Sequence, residues 1–426
     1  MSITTKASAF RSRGLTSKLS GVAILATGAL VLAGCAATEE PAAEPTAIAD
    51  YTMTLGTLLP QTGNLAFLGP PEEAGVGYAV SEVNAYAETT GLTVEIEYGD
   101  SGNTDNKAYE TEAPRILALD PTAIIGAASS GVSLQFIDQV VGEGTILFSP
   151  ANTSDAFTTY DDNGLYFRTA PSDVLQGEVL GNLIAEDGHQ TLGMIVLNDS
   201  YGTGLAKYVT EAFEAAGGEV VAAPTYNTGD TSFDTQISEV LAADPDAIAL
   251  ITFEEVKTML PSLFGQVDPE QLYFVDGNLS NFGDQFPAGS LTGAKGTLPG
   301  LSIDSIGDFT DALDAWVAED GGDALTEYSY AAESFDAVIL LALASLAAGG
   351  ATDGATVAEY LQEVSGGTGD GEKCSTFADC ADIILSGGVA DYDGVSGPIT
   401  FDEVGDPTEA SIGIYVFGED NTYSAF

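Results

Sequence analysis

The chain has 426 residues and carries 64 acidic side chains against 11 basic ones, which gives a formal net charge of −53. This charge excludes nucleic acid as a partner, because binding it requires lysine and arginine to neutralise phosphates. The single histidine, His189, excludes a metal site built from several histidines and argues against a Ser-His-acid triad. The acidity itself suits a solvated surface in water or high salt, and a specific cation-binding role is the alternative.

The first 34 residues have the pattern of an export signal. An apolar run from Gly21 to Leu32 is too short to cross a bilayer but has the length of a signal core. It ends in Leu32-Ala33-Gly34-Cys35, which resembles the bacterial lipoprotein cleavage box and implies that Cys35 is lipidated. An ordinary signal peptide with an incidental cysteine is the alternative. The run follows a basic segment that contains Lys6, Arg11, Arg13 and Lys18.

Residues 35–50 are predicted to be the lipidated cysteine and a flexible tether, since they are polar, contain proline and lack aromatic residues. The predicted location is therefore extracytoplasmic, with the protein anchored by lipid to the outer face of the cell membrane. In that oxidising setting Cys374 and Cys380 are predicted to form a disulfide, with two free thiols as the alternative.

Strands and helices alternate from Tyr51 onward. Continuous apolar strands between amphipathic helices predict a parallel sheet that is covered on both faces. The predicted strands of the first series are Thr52–Pro60, Leu92–Tyr98, Thr122–Ala127 and Thr145–Phe148, and the helices are Glu72–Glu88, Ala108–Leu119 and Val132–Val141.

A second series begins after Arg168, and the apolar segment Ala337–Ala348 is predicted to be a buried helix. Two consecutive series of this kind predict an α/β fold with two doubly wound parallel-sheet lobes. The strands of the second series are Thr191–Leu197, Glu219–Tyr226, Ala247–Phe253 and Leu272–Val275, and the helices are Val174–Ala185, Gly204–Ala215, Phe233–Ala242 and Val256–Phe264.

No motif indicates catalysis or a cofactor. The chain lacks Gly-x-Gly-x-x-Gly, Gly-x-x-x-x-Gly-Lys-Ser/Thr and Gly-x-Ser-x-Gly. The segment Asp391–Gly394 resembles the start of a calcium loop but lacks the third oxygen position and the distal glutamate, so we interpret it as a turn. We therefore predict a protein that is not an enzyme and has no metal or cofactor.

Seven stretches, in order, resemble the branched-chain-amino-acid-type solute-binding proteins of ATP-binding-cassette importers. Their order and spacing extend across residues 52–426. They are Leu58-Leu59-Pro60-Gln61-Thr62-Gly63, Ile125-Gly126-Ala127-Ala128-Ser129-Ser130-Gly131, Phe148-Ser149-Pro150-Ala151-Asn152-Thr153-Ser154, Phe167-Arg168-Thr169-Ala170-Pro171-Ser172-Asp173, Asn198-Asp199-Ser200-Tyr201-Gly202-Thr203-Gly204, Tyr226-Asn227-Thr228-Gly229-Asp230-Thr231-Ser232-Phe233 and Gly397-Pro398-Ile399-Thr400-Phe401-Asp402.

The resemblance implies a type I periplasmic-binding-protein fold, in which three crossovers form a hinge and the ligand lies between the lobes. Lobe 1 would comprise residues 51–170 and 300–411, and lobe 2 residues 171–299 and 412–426. The implied partners are a small solute and the permease and ATPase subunits of an importer, and monomers are usual in the family.

Polar residues after two strands of lobe 1 are candidates for binding the α-carboxylate of an amino acid. Ser129 and Ser130 precede a helix, whose N-terminus favours an anion. By resemblance, Ser130 and Thr153 bind the carboxylate, while the carbonyl of Ala151 accepts a hydrogen bond from the ammonium. The alternative is that these serines and threonines cap helices.

The ammonium group requires an acidic residue from the other lobe. By resemblance this is Asp276, where well-known branched-chain binders have glutamate, and Glu254 and Glu255 are the reserve candidates. Other residues that match positions bordering the ligand are Tyr201, Leu68 and Tyr330.

The expected ligand is a branched-chain or other apolar amino acid. An amide, urea or a small aromatic acid is the alternative for the same fold. A sensory domain that docks on a membrane receptor is a further alternative.

Overall fold

The computed structural model describes residues 49–369 and 371–426. The predicted signal peptide, Cys35 and the tether as far as residue 48 lie outside the described residues. The described residues form two main sheets with helices packed around them and a smaller third sheet. This architecture confirms the predicted α/β fold class.

The first sheet is entirely parallel. It contains β1 (Tyr51–Leu58), β2 (Leu92–Glu97), β3 (Ala123–Gly126), β4 (Ile146–Ser149) and β5 (Tyr166–Arg168), with α1 (Gly69–Ala85), α2 (Ala87–Thr90), α3 (Tyr109–Leu117) and α4 (Ser130–Gly142) between them. The strand order is β2-β1-β3-β4-β5. Every residue of β3 and β4 is buried, as expected for strands covered on both faces.

The next segment builds most of the second sheet. It contains α5 (Asp173–Glu186), β6 (Thr191–Leu197), α6 (Ser200–Ala215), β7 (Glu219–Ala222), β8 (Thr225–Tyr226), α7 (Asp234–Ala242), β9 (Ala247–Ile251), α8 (Val256–Leu263), β10 (Leu272–Phe274) and β11 (Lys295–Pro299). All of these strands pair in parallel.

The chain then returns to the first sheet. The elements are α9 (Gly307–Asp320), α10 (Ala331–Ala347), α11 (Gly354–Val364), β12 (Glu372–Cys374), α12 (Phe377–Leu385), β13 (Ala390–Gly394) and β14 (Gly397–Pro398). Helix α10 packs into the core of the first sheet and is buried on all sides, as predicted. The predicted disulfide between Cys374 and Cys380 is present and joins β12 to α12.

The last two strands, β15 (Ile412–Phe417) and β16 (Tyr423–Ala425), complete the second sheet. Its order is β16-β15-β11-β10-β9-β6-β7, with β8 also paired to β6, and β15 and β16 are antiparallel to their neighbours. The chain therefore passes between the two main sheets after β5, after β11 and before β15. These three crossovers agree with the predicted fold class.

Two predicted elements were wrong in detail. The predicted strand Glu219–Tyr226 is divided into β7 and β8, because Pro224 lies between them and lacks an N–H for the sheet. The predicted turn Asp391–Gly394 is instead most of β13, where the carboxylate of Asp393 pairs with the Lys373 ammonium at 2.9 Å.

Two predicted helices begin earlier than expected. Helix α1 starts at Gly69 rather than Glu72, since prolines are tolerated in a first turn that needs no N–H donors. Helix α6 starts at Ser200 rather than Gly204, because the Asp199 side chain caps it by accepting a hydrogen bond from the Gly202 N–H at 2.7 Å.

Candidate ligand-binding cleft

One wall of the cleft is formed by the loops that follow β3 and β4. Ser129 caps α4, with its Oγ accepting a hydrogen bond from the Val132 N–H at 3.4 Å, so the capping alternative applies to this residue. Ser130 is the first residue of α4, and its Oγ accepts a hydrogen bond from the Ser154 N–H at 3.3 Å. The wall therefore presents the positive end of a helix together with hydroxyl groups.

Asn152 holds these two loops together. Its buried Nδ2 donates to the carbonyl oxygens of Ala127 and Ala128 at 2.8 and 3.0 Å. This fixes the neighbouring residues Ala151 and Thr153 against the start of α4. Asn152 lies within the Phe148–Ser154 stretch, but the sequence predicts no role for it, because its partners lie 24 and 25 residues away.

Asp276 lies on the opposite wall, shortly after β10, and is only 5% exposed. Its Oδ1 accepts hydrogen bonds from the Tyr201 hydroxyl at 2.6 Å and from Gln176 Nε2 at 3.0 Å. Its Oδ2 accepts a hydrogen bond from the Tyr330 hydroxyl at 2.7 Å. Burial raises the pKa of Asp276, and these hydrogen bonds oppose that shift by stabilising the carboxylate.

The donors around Asp276 are all neutral. Every salt bridge among the described residues involves another carboxylate. The buried Arg168 pairs with Asp406 at 2.6 Å. The carboxylate of Asp276 is therefore placed to accept a cationic group from a ligand, because a buried charge is costly without a charged partner.

The two walls enclose a small cavity. Its volume is about 10 Å³, which is room for about one water molecule. The walls therefore lie close together, and an amino acid would enter only after they move apart. All eight predicted contact residues line this cavity: Leu68, Ser129, Ser130, Ala151, Thr153, Tyr201, Asp276 and Tyr330.

Four lining residues were not predicted from the sequence, namely Leu65, Ala128, Phe253 and Gly277. Phe253 is the most informative of them, because its ring stacks on Tyr201 with centroids 5.3 Å apart. Its position just after β9, at the same edge of the sheet as Asp276, was the available signal. The reserve candidates do not line the cavity: Glu254 pairs with Lys257, and Glu255 accepts a hydrogen bond from Asn64.

A second buried acid, Asp173, lies behind the cleft at the start of α5. It is fully buried, and neither carboxyl oxygen has a hydrogen-bond partner among the described residues. Burial and the nearby Asp276 carboxylate raise its pKa well above the usual range, while the Thr153 hydroxyl and Arg168 oppose that shift. No sequence pattern indicated this burial beyond the position of Asp173 at a helix start.

Several hydrogen bonds cross the cleft. Asn64 Nδ2 donates to Glu255 Oε1 at 2.8 Å, and the Ser154 hydroxyl donates to the Ser200 carbonyl at 3.0 Å. The Tyr208 hydroxyl donates to Asp155 Oδ2 at 2.5 Å. Asn64, Ser154 and Asp155 follow strands of the first sheet and Tyr330 precedes α10, whereas their partners follow strands of the second sheet or lie in α6, so the cleft is closed in this structure.

Among residues 49–369 and 371–426, no helix combines the length and apolarity needed to cross a membrane. In the same residues, no group of histidine, cysteine and acidic side chains has an arrangement suited to holding a metal ion.

The chain matches the periplasmic binding protein family over residues 52–372. It is 25% identical to the chemotactic signal transduction system substrate-binding protein BasB of Halobacterium salinarum, over 82% of this chain and 84% of that protein. It is 24% identical to the Leu/Ile/Val-binding protein BraC3 of Rhizobium johnstonii, over 86% of this chain and 92% of that protein.

Its fold resembles that of the branched-chain amino acid transporter substrate-binding protein LivJ of Streptococcus pneumoniae, solved in complex with isoleucine. The TM-score is 0.68 at 21% identity, over 88% of this chain and 99% of that one.

Proposed function

Since this chain belongs to the periplasmic binding protein family, whose members bind solutes outside the cytoplasm, we propose that it binds a free branched-chain or other apolar amino acid and delivers it to the permease of an ATP-binding-cassette importer. The observation that carries this proposal is Asp276, a buried carboxylate that forms no salt bridge with any described residue and faces the N-terminus of α4 across the cavity. Opposite charges at the two ends of the site match a zwitterion.

The α-carboxylate of the ligand would lie against the start of α4. The hydroxyls of Ser130 and Thr153 line the cavity there, and the helix N-terminus favours a negative charge. The ammonium would lie against Asp276, with the Ala151 carbonyl as a further acceptor. A charged hydrogen bond in such a dry site is stronger than one in water.

The ligand side chain would contact the apolar part of the cavity. Leu65, Leu68 and Phe253 line it and offer no hydrogen-bonding side chain. An apolar side chain gains about 25 cal/mol for each Å² that it buries there, whereas a polar one would lose hydrogen bonds to water. The names of BraC3 and LivJ, which refer to Leu/Ile/Val and branched-chain amino acids, support this class of cargo.

We also propose that residues 51–170 and 300–411 move as one lobe and residues 171–299 and 412–426 as the other. The three crossovers would act as the hinge, and ligand would favour the closed form by contacting both walls.

The zwitterion requirement can be tested with three compounds of nearly the same shape. L-leucine should raise the melting temperature of the full-length chain, because a ligand bound only by the native state stabilises it. Isocaproate lacks the ammonium and isoamylamine lacks the carboxylate, so neither should do so at the same concentration. Stabilisation by isocaproate or benzoate but not by leucine would contradict an amino-acid ligand and favour an organic acid. Stabilisation by acetamide or urea alone would favour the amide alternative.

A sensory role is the second candidate, and the name of BasB supports it. The two roles share a binding step and differ in the partner. Leucine-dependent stimulation of ATP hydrolysis by the importer in vesicles would support transport. Leucine-dependent binding to a chemoreceptor domain, without that stimulation, would support signalling.

We further propose that Cys35 carries the lipid anchor. Cells that express the full-length chain should incorporate labelled palmitate into it, and Cys35→Ser should abolish the label. Retention of the label in Cys35→Ser would contradict this assignment.

A further inference from the structure

A second concave surface lies on the outer side of α1, separate from the cleft. We call it the α1–α9 groove, and it is lined by Glu73, Tyr98, Trp316, Val317, Asp320 and Asp323. It is an open depression with a volume of about 440 Å³. The groove combines two aromatic side chains with three carboxylates.

The aromatic surface of the groove depends on a glycine in the middle of α1. A Cβ at Gly77 would lie 2.4 Å from Trp316 Cη2 and 3.2 Å from the Tyr98 hydroxyl oxygen. Only glycine therefore lets these two rings lie against the helix. A glycine within a helix lowers the stability of the helix by about 1 kcal/mol relative to alanine. Beside Gly77, Trp316 is half-buried and Tyr98 is 37% exposed.

The negative charge of the groove has no counterpart in the described chain. Glu73 accepts a hydrogen bond from the neutral Gln61 amide at 2.7 Å, and neither Asp320 nor Asp323 takes part in a salt bridge there. Every basic residue after position 34 already pairs with a carboxylate elsewhere; these are Lys107, Arg115, Arg168, Lys207, Lys257, Lys295 and Lys373.

The carboxylates of the groove lie close enough to Tyr98 to shift the pKa of its hydroxyl. Burial raises the pKa of Tyr98 to about 12, and the carboxylates of Glu73 and Asp320 add to that shift. The Tyr98 hydroxyl therefore lies within the field of both acids. A cation entering the groove would meet aromatic side chains and carboxylates together.

We propose that the α1–α9 groove binds an arginine side chain presented by a partner protein. A guanidinium is planar, always charged and weakly hydrated, so it can stack on an indole while donating hydrogen bonds to carboxylates. The charge of the groove, which no basic residue of the described chain neutralises, selects a cationic occupant. This site goes beyond amino-acid binding in the cleft and does not depend on it.

Trp316 makes the proposal directly measurable, because it is the only tryptophan in the chain. The probe is acetyl-Gly-Arg-Gly-amide, whose blocked ends remove the free ammonium and carboxylate that the cleft would bind. Titrated at low salt into the full-length chain, it should change Trp316 fluorescence saturably, with half-saturation on the order of tens of millimolar or weaker, as expected for one exposed cation–π and ion-pair contact. Sodium chloride at 1 M should weaken the response.

The matched control peptide contains citrulline, which has nearly the shape of arginine but no charge. It should produce no saturable change. The double variant Asp320→Asn, Asp323→Asn should weaken the arginine response by about tenfold, as expected for the loss of two charged hydrogen bonds. Asp311→Asn should leave it unchanged, because Asp311 lies nine residues before Asp320 and so on the opposite face of α9.

The outcomes separate this proposal from the one for the cleft. Asp276→Asn should retain the fluorescence response to the arginine peptide even where it loses leucine binding. Equal responses to the arginine and citrulline peptides, or an unchanged response in the Asp320/Asp323 double variant, would overturn the proposal. The melting temperature of each variant, measured without peptide, verifies that the variant is folded.

Discussion

At the residue scale, the proposed ligand binding and the stability of this protein depend on buried carboxyl groups. Asp276 has three neutral hydrogen-bond donors, whereas Asp173 has none among the described residues. Glu333, in the first turn of α10, is also buried, and burial raises its pKa to about 8. A hydrogen-bonded carboxylate can remain ionised for a ligand, while an unpartnered one is easier to bury as the neutral acid.

Replacing Asp276 by asparagine should weaken leucine binding by about a hundredfold or more. The reason is that loss of one partner of a buried ion pair costs roughly 3–5 kcal/mol. Isothermal titration calorimetry would measure the effect. Asp284→Asn is the matched control, since Asp284 is exposed in the segment between β10 and β11. The affinity of this variant for leucine should not change. An unchanged affinity in Asp276→Asn would locate the ammonium elsewhere.

Glu333 should make the protein less stable as pH rises. Its folded pKa of about 8 exceeds the ordinary value of 4.5, so the folded state retains a proton that the unfolded chain has lost. This contribution to stability is fully present below about pH 4.5 and is lost as the pH rises through about 8, at about 1 kcal/mol per pH unit.

Glu333→Gln should therefore flatten the dependence of the unfolding free energy on pH between 5 and 8, as measured by urea denaturation. Glu143→Gln, at an exposed position after α4, should leave that dependence unchanged. An identical pH slope in the native protein and Glu333→Gln would show that Glu333 does not retain the proton.

At the element scale, the positions of the two cleft walls depend on where the strands end and where the helices begin. Helices α4 and α6 start directly at the cleft, each capped by an oxygen-bearing side chain, Ser129 and Asp199. The strand β11 ends at Pro299, and the chain leaves the second sheet at the next residue, Gly300. Gly300 has φ +96°, and a Cβ there would lie 2.2 Å from Glu333 Oε1. This glycine therefore permits both the turn of the backbone and the position of the first turn of α10.

Gly300→Ala should destabilise the protein more than Gly321→Ala. Both glycines have positive φ, +96° and +85°, but nothing lies within 4 Å of a Cβ at Gly321, which ends α9. Gly321→Ala should cost about 1 kcal/mol from strain alone, and Gly300→Ala about 3 kcal/mol because a steric clash is added. Chemical denaturation measures both values. Equal losses would mean that Glu333 moves aside at no cost.

At the scale of the whole molecule, contacts outside the cavity help to keep the cleft closed. Asn64, Ser154 and Asp155 each form a hydrogen bond with a residue in or next to an element of the second sheet or its helices. None of these bonds requires a ligand. Their combined free energy is expected to influence how readily the cleft opens, and therefore how long a ligand stays bound.

Glu255→Ala should weaken leucine binding without removing a cavity residue. The variant loses the hydrogen bonds from Asn64 at 2.8 Å and from the Tyr226 hydroxyl at 3.2 Å. Loss of about 1.5 kcal/mol from the closed state corresponds to about tenfold in affinity. Calorimetry measures the affinity, and small-angle scattering should show a more open ligand-free protein.

Glu254→Ala is the control for that variant, because the bond from its backbone N–H to the Asn64 carbonyl at 3.2 Å does not depend on the side chain. A loss of affinity as large as that of Glu255→Ala would contradict a specific role for the Asn64–Glu255 bond.

The sequence by itself determined the α/β class, the order of the elements, the two-sheet arrangement and the Cys374–Cys380 disulfide. Its resemblance to solute-binding proteins also pointed to Ser130, Thr153 and Asp276, which line one cavity. These features follow from short-range patterns, namely periodicity, strand ends and a cysteine spacing of six residues. Local patterning determines which elements form and in what order.

Only the tertiary structure decided which groups lose contact with water and which ones meet. The bond from Gln176 to Asp276 spans 100 residues, and the one from Asn64 to Glu255 spans 191. The burial of Asp173 without a hydrogen bond to its carboxyl group from any described residue depends likewise on how separate elements pack. So does the contact of Trp316 with Gly77. Burial and long-range contact are properties of that packing, and no local sequence pattern encodes them.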